Sequence, residues 1–421
     1  VIRSGSAALW LVAVLLLLKQ FGMESFGYLS LGLALVALLG ELLAPATFMT
    51  LQKLMGIRIR KEQYRNAETI MRSGFYSTLL IGLLVVGILM AMAEIICVYI
   101  VKQPMFFYPF LFIVPSLLFV LLNNCLEGYF AGTGVNFPFG RLLQLVFFLI
   151  FSEIFHGVLI PYGTRVAALL RSDAYTEVYG AMGLSLAFTL SALFTFLFQG
   201  GIYLAVRRQL ADLARRDVSR MRESLPVSSK IYTRSLLTYL PSQALVGCIF
   251  PVQYLIWLTG QKQVEGMIYL SGALLVEYVV PFLFFLLLFE MTVVRSVSET
   301  PAMVKREDYV RFNQSILDSR HSLALTALPL SVLLCVLAEP FSRVLFAEQT
   351  QDLLKLWKMA GIVVYLGALA IYQVQVCREA GMLLECNLIC LVGFVSGMIG
   401  FGVLESGKML GLLAFPVSML L

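Results

Sequence analysis

Apolar blocks long enough to cross a lipid bilayer recur along this chain, and they restrict its folding more than any other feature. A helix of roughly 20 residues spans the hydrocarbon core of about 30 Å. Twelve such blocks can be drawn, at 6–18, 28–51, 75–101, 106–123, 142–160, 179–206, 235–260, 268–294, 323–346, 359–376, 388–404 and 409–421. They are continuously apolar, whereas the strands of a membrane barrel are about 10 residues long and alternate in polarity. Lipid offers the backbone no hydrogen-bond partner, so helices are the remaining solution. The sequence therefore predicts an all-α, polytopic membrane protein of about twelve transmembrane helices. The balance of residues agrees: 60% are hydrophobic, 13% are charged and the mean hydropathy is +0.88, against roughly a quarter charged in a soluble domain.

The first block is followed by another span and not by a small-residue cleavage site, so it is expected to stay in the mature protein. The chain opens without Met and its last block stops after 13 residues. One or two further helices, up to fourteen in all, are expected in the intact protein.

The seven cysteines lie mostly inside apolar blocks and show no metal or redox spacing. Cys386 and Cys390 are four apart, without partner ligands nearby in sequence. There is no Gly-rich loop ending in Lys-Ser/Thr, no HExxH-type pair and no nucleophile–base constellation. Neither an enzyme nor a bound cofactor or metal is expected, beyond coupling to Na⁺ or H⁺.

Lysine and arginine test the segmentation independently of hydrophobicity, because cytoplasmic loops are enriched in them. The loops after the second, fourth, sixth, eighth and tenth blocks hold 21 of the 31, and the alternate loops hold 8. This predicts a cytoplasmic N-terminus, and it assigns the net charge of +6 to membrane topology rather than to nucleic-acid binding. The largest inside loop, 207–234, carries Leu210, Leu213, Ala214, Val218, Met221 and Leu225 among many arginines, the pattern of an amphipathic surface helix. It would link an N-terminal lobe, 1–206, to a C-terminal lobe, 235–421.

An internal repeat supports that division. Lys61-Glu62-Gln63-Tyr64 returns as Arg306-Glu307-Asp308-Tyr309, and Ala93-Glu94 as Ala338-Glu339, both at an offset of 245. The matches fall in equivalent loops and helices running in the same direction. The expected architecture is two pseudo-symmetric six-helix lobes around a central cavity, of the kind that works by alternating access.

An ionisable side chain at the bilayer centre costs about 2.5–3.5 kcal/mol on insertion scales, so those present should face a wet cavity or a partner. Glu41, Glu153, His156 and Glu277 fall mid-helix, with Arg3, Arg141 and Glu290 nearer the inner ends. Glu41 and Glu277 are candidates for cation or proton coupling, the alternative being a neutral Glu hydrogen-bonded between helices. Glu153 and His156, three apart on one helix face, either relay protons or pair structurally. Arg3 and Arg141 are either ligands for a phosphate or positive-inside anchors. Pro45, Pro241, Pro251 and Pro281 interrupt apolar blocks and mark places where helices can bend.

Several motifs carry a family resemblance. The segment from Phe21-Gly22-Met23-Glu24-Ser25-Phe26-Gly27-Tyr28 through Pro45 to Tyr64-Arg65-Asn66-Ala67, followed by Glu127-Gly128-Tyr129-Phe130-Ala131-Gly132-Thr133-Gly134, Pro161-Tyr162-Gly163, Leu240-Pro241-Ser242, Ser296-Val297-Ser298-Glu299 and Leu337-Ala338-Glu339-Pro340, resembles the polysaccharide exporters. These belong to the multidrug/oligosaccharidyl-lipid/polysaccharide (MOP) flippase superfamily, and the likeness is greatest to the stage V sporulation protein B branch. The resemblance covers nearly the whole chain and implies a two-lobed fold of twelve to fourteen helices in a bacterial plasma membrane. It further implies translocation of an undecaprenyl-diphosphate-linked saccharide or peptidoglycan precursor, or else cation-coupled export of small molecules. On that basis Arg3, Glu41, Arg141, Gln253 and Glu290 are expected to contact substrate. The chain departs from the family pattern at Gln253, where relatives often carry an acid, and at Glu41 and Glu290, where small or hydroxyl residues are more usual.

Overall fold

The computed structural model describes residues 2–135, 139–215, 223–260, 268–274, 309–345 and 351–406, with 414, 415 and 417. Every regular element among the described residues is helical. Eight helices there are long and apolar enough to cross a membrane. The chain is a multi-pass membrane protein, and its surface shows why. Leu80, Leu84 and Ile88, then Val146, Ile150, Ile154 and Val158, then Leu388, Leu391, Val392, Val395 and Ile399 form helical rows that are 45–69% exposed. Water would penalise such rows, whereas acyl chains solvate them.

The helices in chain order are α1 (Ile2–Phe21), α2 (Met23–Arg60), α3 (Tyr64–Ala91), α4 (Phe107–Ile113), α5 (Ser116–Thr133), α6 (Gly140–Leu170), α7 (Ala174–Arg215), α8 (Leu225–Gly247), α9 (Ile249–Gly260), α10 (Tyr309–Val336), α11 (Ala338–Leu345), α12 (Gln351–Glu379) and α13 (Leu383–Ser406). α1, α2, α6, α7, α12 and α13 run beyond the apolar blocks that announced them at both ends, because backbone hydrogen bonding continues where hydropathy stops. The stretch expected as a separate surface helix is divided instead: Arg207 to Arg215 prolong α7 and Leu225 to Arg234 begin α8. Val218 and Met221 lie outside the described residues, as do most of the blocks at 268–294 and 409–421, with Glu277, Pro281 and Glu290.

The contacts group the chain into two compact units. One comprises residues 31–248 and the other residues 1–30 with 249–421. In the first unit α6 packs along α7, α7 also receives α4 and α5, and α3 lies against α5 and α8. Its centre is α5, whose Leu117, Leu121, Leu122, Cys125, Leu126, Tyr129 and Phe130 are all at most 2% exposed. Close approach there requires glycine: a Cβ on Gly128 would lie 2.6 Å from the Phe48 carbonyl oxygen, and one on Gly132 2.6 Å from Met55 Cβ.

In the second unit α10 and α11 pack on α12, α12 on α13, and α13 on α9. Gly27, at the start of α2, meets the backbone of Ile268, and Gly272 meets that of Met23. The Tyr254 hydroxyl joins Ser30 and Ser271, whose Oγ atoms are 2.8 Å apart. Phe250, Tyr254, Trp257, Phe401 and Phe415 form a chain of ring contacts alongside.

The repeat seen in sequence recurs in the helices. α3 and α10 each contain 28 residues and start at the repeated tyrosines, Tyr64 and Tyr309. Each packs on the next long helix of its own unit, α3 on α5 and α10 on α12. Those partners also end alike, in left-handed glycines, Gly134 (φ +77°) and Gly381 (φ +89°). Val135 N–H bonds to the Phe130 carbonyl at 3.0 Å and Met382 N–H to that of Cys377 at 3.0 Å. The second turn thus has the same helix-ending geometry as the first.

Candidate functional site

Of the intramembrane charges read from sequence, two lie within electrostatic range of each other. Glu41 lies in α2, four residues before Pro45. Arg141 is the second residue of α6 and acts electrostatically on the Glu41 carboxylate. Both side chains are accessible at their surfaces.

A break between α8 and α9 borders this pair. Pro251 cannot donate to the carbonyl of Gly247, and its ring crowds that carbonyl, so the helix interrupts at Cys248 and resumes at Ile249. Glu41 sits directly on the break. A Cβ on Gly247 would lie 2.7 Å from Glu41 Cβ and 3.0 Å from its Oε2, and the Cys248 thiol donates to the Leu38 carbonyl at 3.4 Å.

The other expected residues are dispersed. Glu153 is exposed and His156 half-buried on α6, beside its outward apolar row and away from its buried stripe of Leu145, Phe148 and Ser152. Gln253 is fully buried in α9 next to Tyr254. Arg3 lies in the first turn of α1. Glu277 and Glu290 are outside the described residues.

Two polar constellations escaped the sequence reading. Between α5 and α7, Gln199 Nε2 donates to Glu127 Oε1 at 3.2 Å, and Asn123 Nδ2 donates to the Ala192 carbonyl at 3.1 Å. The apolar block ended at Asn123, which left Glu127 in an apparent loop, yet α5 continues to Thr133. The signal was available in the Glu127-Gly128-Tyr129 motif.

Where α2 ends and α3 begins, Arg58 pairs side-on with Glu223, Nη2 donating to Oε1 at 2.8 Å and to Oε2 at 2.7 Å, and Nε to Oε2 at 3.2 Å. Glu223 N–H donates to Asn66 Oδ1 at 3.0 Å and the Ser228 hydroxyl donates to its carboxylate at 3.2 Å. Glu68 accepts from Arg72 at 2.7 Å and Arg207 at 2.9 Å, lining a small recess with Tyr64, Met71, Tyr129 and Tyr203. Both ends of the connection from α7 to α8 are thereby fastened to the start of α3.

No family model matches the sequence, and no curated protein matches it either. Solved structures do. An inward-facing multidrug resistance MATE family transporter of the MOP superfamily superposes with a TM-score of 0.75 at 15% identity, over 98% of this chain and 90% of its own. An outward-facing structure of a multidrug resistance MATE family transporter gives 0.67 at 13%, over 99% and 89%. A MOP superfamily transporter from Pyrococcus furiosus, whose pocket is described as reversed in polarity with a different function suggested, gives 0.67 at 14%, over 99% and 89%. The end-to-end correspondence of helices, with no strand among the described residues, gives this chain the fold of the MATE-type transporters of the MOP superfamily.

Proposed function

We propose that the chain is an alternating-access carrier that moves a lipid-linked saccharide or peptidoglycan precursor, joined through undecaprenyl diphosphate, across a bacterial plasma membrane. The observation that carries the reading is a carboxylate, Glu41, on accessible surface within a spanning helix, beside the break at Gly247 and Cys248 and within electrostatic range of the accessible Arg141. A diphosphate takes the guanidinium because its planar fork donates two charge-assisted bonds. Glu41, released from Arg141, then accepts a proton or cation, and the exchange reverses when substrate leaves. The neighbours' inward-facing and outward-facing structures support two access states for this fold.

In this reading two lobes, 1–206 and 235–421, rock about a cavity with the N-terminus cytoplasmic. Arg3, Gln253 and Glu290 contact substrate, while Glu153, His156 and Glu277 are further candidates for coupling. The test is reconstitution in liposomes with a labelled undecaprenyl-diphosphate saccharide. Wild type should translocate it, and Arg141→Ala should reduce the rate at least about tenfold, one charge-assisted contact of roughly 1.5–3 kcal/mol, with Arg3→Ala as comparison.

Cation-coupled drug antiport is the second reading, favoured by the neighbours' description as multidrug resistance transporters and by the accessible carboxylate of Glu41. Gradient-driven efflux of a cationic drug, abolished in Glu41→Gln and without lipid translocation, would put it first.

A further inference from the structure

The outward side of α6 carries a second pattern besides its apolar row. Leu142, Val146, Leu149, Glu153, His156 and Ile160 follow one another at alternating spacings of four and three, and none of the six is buried. Such spacing is the seam along which one helix packs lengthwise on another. The contact with α7 is made elsewhere on α6, through Phe148 against Phe188 and Gly163 against Tyr179. Continued past Ile160, the seam would run onto Gly163 and Ala167, which are buried, so it ends with the apolar block.

Two of its six positions are polar, and they fall where polarity costs most. Glu153 and His156 straddle the midpoint of α6, which runs from Gly140 to Leu170, so each lies about 20 Å from the nearer end. Contact with each other along the helix would leave both in hydrocarbon beside Ile150, Ile154 and Val158, which are 49–62% exposed. Ionisable groups at that depth are kept where another polar group meets them.

We propose that this seam is the interface of a symmetric dimer, in which a second copy of the chain lays its own α6 along the first. The placement of the polar pair selects a second copy, because an acceptor and a donor on one seam make that seam complementary to itself. Insertion gives every copy the same direction, so the two-fold axis runs along the membrane normal and the two helices are parallel. Each flank of the seam then opposes the other flank of the copy. Glu153 and His156 stand on opposite flanks, three residues apart, so Glu153 of each copy meets His156 of the other, and the contact is made twice. Leu142, Val146, Leu149 and Ile160 pack on either side of it. A register slipped by one heptad would set the polar groups against aliphatic side chains, so the pair also fixes the alignment. The inference rests on this face of α6 and not on what the chain carries. It gives Glu153 and His156 a place in assembly, whereas the carrier reading makes them candidates for coupling, and the test separates the two.

Single cysteines are placed in the full chain, in a cysteine-free background, and oxidised with copper phenanthroline in native membranes. Leu149→Cys and Ile160→Cys, close to the axis, should crosslink to dimers, and Ile154→Cys and Val158→Cys should not. Subunit counting of the labelled chain in liposomes over a range of protein densities gives the dissociation constant. Glu153→Leu and His156→Leu should each raise it at least about tenfold. The cysteine pattern keeps the polar pair intact and decides the matter should a leucine variant fail to fold. Wild type counted as single subunits at every density overturns the inference, and so does crosslinking at Ile154 and Val158 in place of Leu149 and Ile160. An unchanged dissociation constant in both leucine variants overturns it by removing the polar contact. Crosslinking of Leu149→Cys to a different protein, and not to itself, gives the seam another occupant and has the same effect. Transport abolished in a Glu153→Leu chain that still dimerises with undiminished affinity makes Glu153 a coupling group instead.

Discussion

Gly27 and Gly157 show how far identical residues differ in this protein. A methyl group on Gly27 would run into the backbone of Ile268, which cannot yield as a side chain end can, whereas Gly157 on α6 has nothing within 4 Å. Gly27→Ala should therefore destabilise by about 1–3 kcal/mol through overpacking. Gly157→Ala should be neutral or stabilising by up to roughly 1 kcal/mol, since it restricts the unfolded chain without a clash. Thermal unfolding of the two variants in the same detergent checks the contrast, and equal shifts would refute the close crossing at Ile268. Charged residues divide in the same manner. Arg58 is almost wholly buried and spends its fork on Glu223, while Arg343 pairs with Glu339 in the open. Arginine at the end of an apolar block thus has two fates that composition does not separate.

Among elements, the break between α8 and α9 differs from the other proline sites. Pro45, Pro161, Pro241 and Pro329 lie inside helices that continue past them. Pro251 coincides with an interruption, which also marks the boundary between the compact units. Pro251→Ala restores the N–H and removes the clash with the Gly247 carbonyl. Hydrogen exchange should then slow at the amides of residues 248–251, and transport in liposomes should fall because a hinge has stiffened. Unchanged exchange would mean that the break has another cause. The matched lengths of α3 and α10, and the matched glycine ends of α5 and α12, show the same element built twice from largely different residues. The matching sequence was confined to a few positions because lipid accepts any apolar side chain on an outward face, so few residues are held in common.

For the whole molecule, the bias of lysine and arginine predicts that the N-terminus and the connection from α7 to α8 lie on the cytoplasmic side. Cysteines introduced in turn at Glu62 and at Lys102, in a cysteine-free background, test this in intact cells. A membrane-impermeant maleimide should label the second and not the first, and the reverse pattern would invert the topology. Spans, helical class and the repeat were all legible in the chain itself, since crossing about 30 Å of hydrocarbon demands long apolar helices wherever they go. Which faces turn inward was not legible. Helices such as α6 and α13 carry no one-sided apolar stripe, because lipid solvates one side as well as packing solvates the other, so periodicity loses its meaning. The charge of Arg141 acts on Glu41 across 100 positions of sequence, and Glu127 meets Gln199 across 72. The apolar blocks by themselves determined that this protein spans a membrane many times. Tertiary packing alone decided which few polar groups meet, because a buried charge is tolerated only where another helix supplies its partner.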